Sequence, residues 1–261
     1  MRVMIKRVTD GKITLQETSK MAIITMNRPA SRNALTSDMW LELARLVKSV
    51  ESNPKNKVVI VKGARGQFSA GSDIREFTQM TADEANAAFE KMEEAMAAIE
   101  NISLPVIGVI DGPAMGAGFI LSLACDIRIG TRNTKMGIPV GRLGITLGPS
   151  FVQRIVRLIG PSRTKELVYT GKIYDYHEAK QLGLVNVFVE NREELEHTCL
   201  KTAGIMADQS MASLAAVKKA VHLCEQQTHA PWKYVDPVDF HEGCLSFVEK
   251  RKPLFGNRAL P

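Results

Sequence analysis

The sequence is short of most features that would mark a specialised class of protein. Cysteine is scarce: Cys125, Cys199, Cys224 and Cys244 stand singly, with no CxxC pair. That pattern excludes a disulfide framework or a zinc ribbon and predicts buried, reduced thiols. None of the four belongs to a nucleophile signature, so neither a catalytic thiol nor a metal is expected. No apolar run approaches the roughly 18 residues that a membrane helix needs. The first residues, MRVMIKRVTDGKITLQ, carry basic side chains with no apolar stretch after them, so no signal peptide and no membrane partner is expected and the chain reads as cytoplasmic. Aromatics are only 6% of the chain, and there is no low-complexity tract, fixed-period repeat or heptad array.

Against these absences stand 261 residues, 45% hydrophobic and 24% charged, a composition that rules out collagen-like, mucin-like and wholly disordered proteins. The length suits one large domain, or one domain with an appendage. Lys and Arg exceed Asp and Glu by 34 to 28, a formal charge of +6. Such an excess suits an anionic partner or solubility alone. The basic residues are scattered, apart from Lys250, Arg251 and Lys252. Without an aromatic RNP run or zinc-finger spacing beside them, no nucleic-acid partner is expected.

Hydrophobic periodicity predicts the elements. KITLQ (12–16) and MAIITM (21–26) read as strands, and Thr36 or Ser37 N-caps a helix through Met39, Leu43, Leu46, Val47 and Val50. KVVIVKG (57–63) is a short continuous apolar run, as expected of a strand covered on both faces. A long helix follows from Thr81 to about Asn101. PVIGVIDG (105–112) and DIRIGT (126–131) are strands flanking a helical FILSLACD (119–126). Helices at 148–160, 161–170, 175–182, 192–207, 210–227 and 237–252 dominate the rest. Strands and helices alternate early and helices dominate late, which argues an α/β core with a helical C-terminal extension.

Two Gly-rich turns each follow a buried-looking strand: Phe68-Ser69-Ala70-Gly71-Ser72-Asp73, and Gly112-Pro113-Ala114-Met115-Gly116-Ala117-Gly118. Small residues let backbone approach a ligand, and a helix start supplies unpaired N–H donors. Together the turns either hold an anionic oxygen between backbone N–H groups or are tight strand-to-helix turns that only need glycine. GAMGAG lacks the GxGxxG dinucleotide pattern.

These turns sit within a longer set of matches. They include Asn27-Arg28-Pro29, Asn33-Ala34-Leu35, Phe68 to Ile74, Pro105-Val106-Ile107, Gly116-Ala117-Gly118, Ala124-Cys125-Asp126-Ile127, Gly137-Ile138-Pro139, Leu143-Gly144, Thr170-Gly171, Gly183-Leu184-Val185 and Phe247 to Pro253. In this set, in order along nearly the whole chain, the sequence resembles the crotonase (enoyl-CoA hydratase/isomerase) superfamily. The resemblance implies a crotonase-like ββα superhelix, with a spiral core over 1–195 and a helical trimerisation region over 196–261. It further implies a homotrimer or dimer of trimers acting on acyl-CoA, with coenzyme A carried by the substrate and no separate cofactor.

By the same resemblance, the N–H groups of Ser72 and Ala117 are the donors that stabilise a thioester enolate. Arg32, Ala34 and Leu35, with Ala70, Asp73 and Ile74, line the path of the nucleotide and pantetheine. Phe247 and Lys250 match positions that reach a bound CoA, although Lys250 also reads as a solvated charge on a terminal helix. Asp73 also reads as a helix N-cap. The two glutamates with which hydratases of this family activate water fall on Ile120 and Val140, which neither accept nor donate a proton. Glu76, Asp111, Asp126, Arg142, Thr146 and Ser150 are the candidates to replace the missing base, and none carries a motif; Glu76, Asp111 and Arg142 also read as solvated loop charges and Asp126 as a structural hydrogen-bond partner. Decarboxylation of a malonyl-type thioester, or acyl-CoA binding without catalysis, are the alternatives that an apolar pocket leaves open.

Overall fold

The computed structural model describes residues 4–8, 11–225, 249–251 and 254. The chain opens with an antiparallel meander of β1 (Met4–Val8), β2 (Ile13–Glu17) and β3 (Met21–Met26), paired from Met4 opposite Glu17 and from Ile13 opposite Met26. Ile13 and Leu15 of β2 and Ala22, Ile24 and Met26 of β3 are buried at every second position. That is the period expected of strands with one face on the core. β1 was not expected: its apolar residues, Met4, Ile5 and Val8, follow no alternating pattern.

Helix α1 (Ser37–Glu51) buries Met39, Leu43, Leu46, Val47 and Val50 as their spacing predicts, with Trp40 beside them. Its cap differs from expectation. Thr36 makes no side-chain cap, and the Glu76 carboxylate instead accepts from the Ser37 N–H at 2.9 Å and the Ser37 hydroxyl at 3.2 Å. A carboxylate at a helix N-terminus satisfies an orphan donor and meets the positive end of the helix dipole.

From β3 onward the main sheet is parallel. β4 (Val58–Gly63) lies between β3 and β5 (Val106–Ile110), and its first four residues are all buried. Between β4 and β5 run the short α2 (Ile74–Phe77) and the long α3 (Ala82–Asn101). Helix α3 starts at a capping box in which Thr81 and Glu84 each satisfy the other's N–H. After β5 come β6 (Pro113–Met115), α4 (Ala117–Ala124), β7 (Ile127–Thr131) and β8 (Lys135–Gly137). Helix α5 (Pro149–Thr170) is broken at Gly160, whose φ of 75° and ψ of 167° are not helical. The two helices expected at 148–160 and 161–170 are its halves. Then follow β9 (Ile173–Tyr174), α6 (Tyr176–Gln181), β10 (Val187–Val189), α7 (Arg192–Ala207) and α8 (Met211–Glu225). The helix expected at 237–252 lies almost wholly outside the described residues.

The described strands form a seven-stranded sheet in the order β1-β2-β3-β4-β5-β7-β10 and a three-stranded sheet β6-β8-β9. This is an α/β superhelix of strand-strand-helix turns with helices at its C-terminal end. Helices α1, α3 and α4 cover one face in a core built around Trp40, Met92, Met96, Phe119 and Phe68. Helix α7 covers the other: Leu195, Cys199, Ala203 and Ala207 pack on Val58, Ile60, Ile107, Val109 and Ile129. The boundary expected between 195 and 196 therefore falls inside one continuous helix. Arg154 of α5 is buried and donates to Glu93 at 2.7 and 2.8 Å and to Glu100 at 2.6 Å, which ties α5 to α3 by charge-assisted bonds. Among the described residues no helix is long and apolar enough to cross a membrane.

Cys125 and Cys199 are buried and free, whereas Cys224 is exposed on α8, contrary to the expectation that all the thiols are buried; Cys244 lies outside the described residues. Burial pushes the Cys125 thiol up to about 12 and that of Cys199 up to about 11. Iodoacetamide at about pH 8 should alkylate Cys224 in the native protein and spare Cys125 and Cys199 until urea unfolds it, as peptide mass spectrometry would read. Stability should also fall on the alkaline side. The unfolded thiol loses its proton near 9.0 while folded Cys125 keeps its proton up to about 12, so the unfolded state gains through that window. An unfolding free energy that rises there contradicts the assignment.

Candidate active site

The first Gly-rich turn is held by backbone on every side. Ser69 N–H donates to Pro113 O at 3.2 Å and Met115 N–H returns to Ser69 O at 2.9 Å, which splices the turn to β6. Ala70 N–H donates to Arg32 O at 2.9 Å, Leu35 N–H to Gly71 O at 2.8 Å and Asp73 N–H to Leu35 O at 2.9 Å. The Ser69 hydroxyl donates to Asn33 O at 2.8 Å and accepts from Gly71 N–H at 3.0 Å. Arg32 and Asn33 both adopt left-handed backbone, with φ of 51° and 54°. Asn33 is buried and its amide donates to Ala64 O at 2.9 Å and Gln67 O at 2.7 Å. An asparagine tolerates that conformation and bonds its neighbours from it.

The second turn follows β6. Gly116 N–H donates to Gly137 O at 2.9 Å, and α4 begins at Ala117, whose N–H is among the first-turn donors that a helix leaves without a partner. Segment 113–115, expected as part of a turn, is instead a three-residue strand pairing with β8. The two turns touch backbone to backbone. A Cβ on Gly71, which has a φ of +95°, would lie 2.7 Å from both Ala117 N and Met115 O, and one on Gly118 would lie 2.5 Å from Ser69 O. No hydrogen bond among the described residues uses the N–H of Ser72 or of Ala117.

Both residues line one apolar cavity of about 140 Å³. Ala70, Ile74, Ile120 and Val140 are also on its wall, so the structure brings together six of the twelve residues that the sequence nominates. The rest of the wall comes from residues that sequence reasoning missed, among them Phe77, Phe89, Met92, Ile145, Leu147 and Phe151. Phe89 lies edge-on to Phe151 with ring centroids 6.2 Å apart, and 5.7 Å from Phe77. Among the described side chains on the wall none is ionisable, and the Ser72 hydroxyl is the polar group present. It donates to the Met92 thioether sulfur at 3.0 Å.

The other nominated residues lie off the wall. Arg32 is exposed and Ala34 buried; Leu35 is fully buried, so its contribution is the backbone pairing that fixes Gly71 and Asp73. Asp73 pairs with Arg28 at 2.9 Å and caps α2 by accepting from Arg75 N–H at 3.2 Å, in keeping with the N-cap reading. Lys250 is exposed, and Phe247 lies outside the described residues. Other acids near the turns are engaged: Glu76 caps α1, Asp111 accepts from Arg192 at 2.8 Å and Thr131 at 3.2 Å, and Asp126 accepts from Val106 N–H at 2.7 Å and Lys218 at 2.8 Å. Thr146 and Ser150 are not on the wall either. Among the described residues no cluster of His, Cys, Asp and Glu is placed to hold a metal.

An α/β superhelix whose two Gly-rich turns meet over an apolar cavity defines a crotonase-type fold. Comparison with known proteins agrees: the enoyl-CoA hydratase/isomerase family matches residues 16–258. The chain is 34% identical over 253 residues to the crotonyl-CoA hydratase of Syntrophomonas wolfei, covering 93% of this chain and 97% of that protein. It is 31% identical to the short-chain-enoyl-CoA hydratase of Clostridium acetobutylicum, over 93% and 96% of the two chains. The crystal structure of an enoyl-CoA hydratase/carnithine racemase from Magnetospirillum magneticum superposes with a TM-score of 0.89 at 30% identity, over 95% of this chain and 96% of that one. The chain belongs to the enoyl-CoA hydratase/isomerase family of acyl-CoA-processing enzymes.

The contact between the turns gives a direct test. Gly71→Ala and Gly144→Ala both put a Cβ on left-handed backbone, but at Gly144, with φ +66°, nothing lies within 4 Å of it. Gly144→Ala should cost about 1 kcal/mol in urea unfolding, and Gly71→Ala about 2 kcal/mol more, because its Cβ forces the turns apart. Equal costs would show that the turns are not in contact.

Proposed function

We propose that the Ser72 and Ala117 N–H groups grip the thioester carbonyl oxygen of an acyl-CoA and stabilise the enolate formed next to it. The observation that carries this reading is that Ser72 and Ala117, whose N–H groups have no partner among the described residues, lie on the wall of one apolar cavity, fixed by turns in backbone contact. Donors fixed before the reaction need no reorganisation as charge develops, and removing one such donor typically lowers rate by roughly 10²–10³. Low polarity strengthens them further. The aromatic and aliphatic wall takes the acyl chain. The nucleotide and pantetheine lie along Arg32, Ala34, Leu35, Ala70, Asp73 and Ile74, and by the resemblance Phe247 and Lys250 are further CoA contacts. Residues 196–261 serve trimer assembly, and the enzyme works in the cytoplasm.

Ile120 and Val140 stand where the resemblance puts the hydratase glutamates, and both are on the cavity wall. With no acid described there, a reaction that needs no strong base is the second reading. In decarboxylation of a malonyl-type thioester, the bond from the α-carbon to the carboxylate breaks, CO₂ leaves, and the electron pair becomes the enolate. Water then protonates the α-carbon. The protein's part is to position the substrate and stabilise the oxyanion.

Calorimetry with the full chain should detect binding of butyryl-CoA. Hydration of crotonyl-CoA should run roughly 10²–10⁴-fold below that of a hydratase with both glutamates, the usual contribution of general acid–base catalysis. A chain that folds yet binds no acyl-CoA refutes the proposal, and hydration at full hydratase rate refutes the base-free reading.

A further inference from the structure

The described side chains on the cavity wall are apolar except at one point, and that point belongs to a residue already assigned a main-chain role. Ser72, on this wall, carries two donors: its N–H, which makes no hydrogen bond among the described residues, and its hydroxyl, which is held on the Met92 sulfur at 3.0 Å. A thioether is a weak acceptor. A hydroxyl in an apolar, half-buried site with only that acceptor is under-satisfied, and it gains when an oxygen takes the place of the sulfur. Met92 is itself on the wall, so both partners of this hydrogen bond belong to the cavity lining. The backbone around it is fixed by the Leu35, Gly71 and Asp73 pairing, so the hydroxyl has little to adjust beyond its own rotation.

We propose that the Ser72 hydroxyl is a specificity-determining contact that selects acyl-CoA substrates bearing an oxygen on the β-carbon, by exchanging the Met92 sulfur for that oxygen. This rests on the oxyanion reading above. If the Ser72 N–H holds the thioester oxygen, the hydroxyl of the same residue is within reach of an oxygen a few bonds along the same fragment. A keto oxygen and the carboxylate of a malonyl-type acyl group both satisfy this geometry. An unsubstituted chain leaves the hydroxyl on sulfur and gains nothing from it. The wall offers no charged side chain among those described, so discrimination by this hydroxyl works through one hydrogen bond rather than an ion pair.

The test compares equilibrium binding of acetoacetyl-CoA, malonyl-CoA and butyryl-CoA to the full-length protein, to Ser72→Ala and to Met92→Leu. Both variants remove the same Ser72–Met92 bond, so a purely structural role moves both in the same direction. The proposed role moves them oppositely. Ser72→Ala should lower the preference for an oxygenated ligand over butyryl-CoA by about tenfold, the loss of one good hydrogen bond in an apolar site. Met92→Leu should raise it by about two- to fivefold, because the hydroxyl then has no competing acceptor in the free protein. The ligand that shows this pair of shifts identifies the acceptor as a neutral oxygen or a carboxylate. Shifts in the same direction, or none with either ligand, overturn the inference. A wild-type protein that binds butyryl-CoA without such discrimination removes this inference alone, whereas one that binds no acyl-CoA removes the oxyanion reading with it.

Discussion

The site depends on one close approach: the peptide at Gly71 lies against the peptide at Ala117 with no room for a side chain between them. Everything around this contact serves to hold it. The Ser69 splice to β6, the Ala70 bond to Arg32 and the Leu35 bonds to Gly71 and Asp73 spend the backbone groups of the first turn on structure. Gly116 spends its own N–H on Gly137. The N–H groups that no bond among the described residues uses include those of Ser72 on the first turn and Ala117 on the second. Both residues are only half-buried, so neither donor carries the full cost of a buried unpaired group, and the sheets and α4 hold the two in place.

That logic explains which parts of the site could be read from sequence. The Gly-rich turns carry a local signal, since only glycine fits a left-handed φ in backbone contact, and their order along the chain carried the resemblance. Ile120 and Val140 were legible through the resemblance alone, which sets Ile120 just after the second turn and Val140 directly after Gly137-Ile138-Pro139. Phe77, Phe89, Met92, Leu147 and Phe151 were not. Each is an apolar residue on or beside an amphipathic helix, and nothing local distinguishes a residue facing a cavity from one facing the core. Only the packing of α2, α3 and α5 around the turns makes that distinction.

The fold shows the same division. Long periodic segments such as α1, α3 and β4 were legible because each is specified by its own hydrophobic pattern. Strands β6, β8 and β9, of two or three residues, were not, because so short a run has no period to detect and their partners lie far away in sequence. The cap of α1 is a case between the two. A capping residue was expected at Thr36 or Ser37, and the helix does begin there. The capping group, however, comes from Glu76, 39 residues further along. That long-range carboxylate also removes Glu76 from the acids available for chemistry, so a structural need and a catalytic absence have one cause.

An apolar wall changes what the two donors are worth. In water, a pair of N–H groups does little for an enolate, because solvent already stabilises it. In a cavity lined by Phe77, Phe89, Val140 and Phe151, the same groups act against little competing polarization. The same wall deprives the site of a general base, since a carboxylate there would be desolvated and held protonated unless partnered. On the proposed reading, strong oxyanion stabilisation and the lack of a base among the described wall residues are two consequences of one composition. Where the charge is stabilised by main chain and the wall is hydrocarbon, selectivity among acyl groups must come from shape and from the few polar atoms that remain. On the described surface of this cavity, that leaves the Ser72 hydroxyl facing a methionine sulfur.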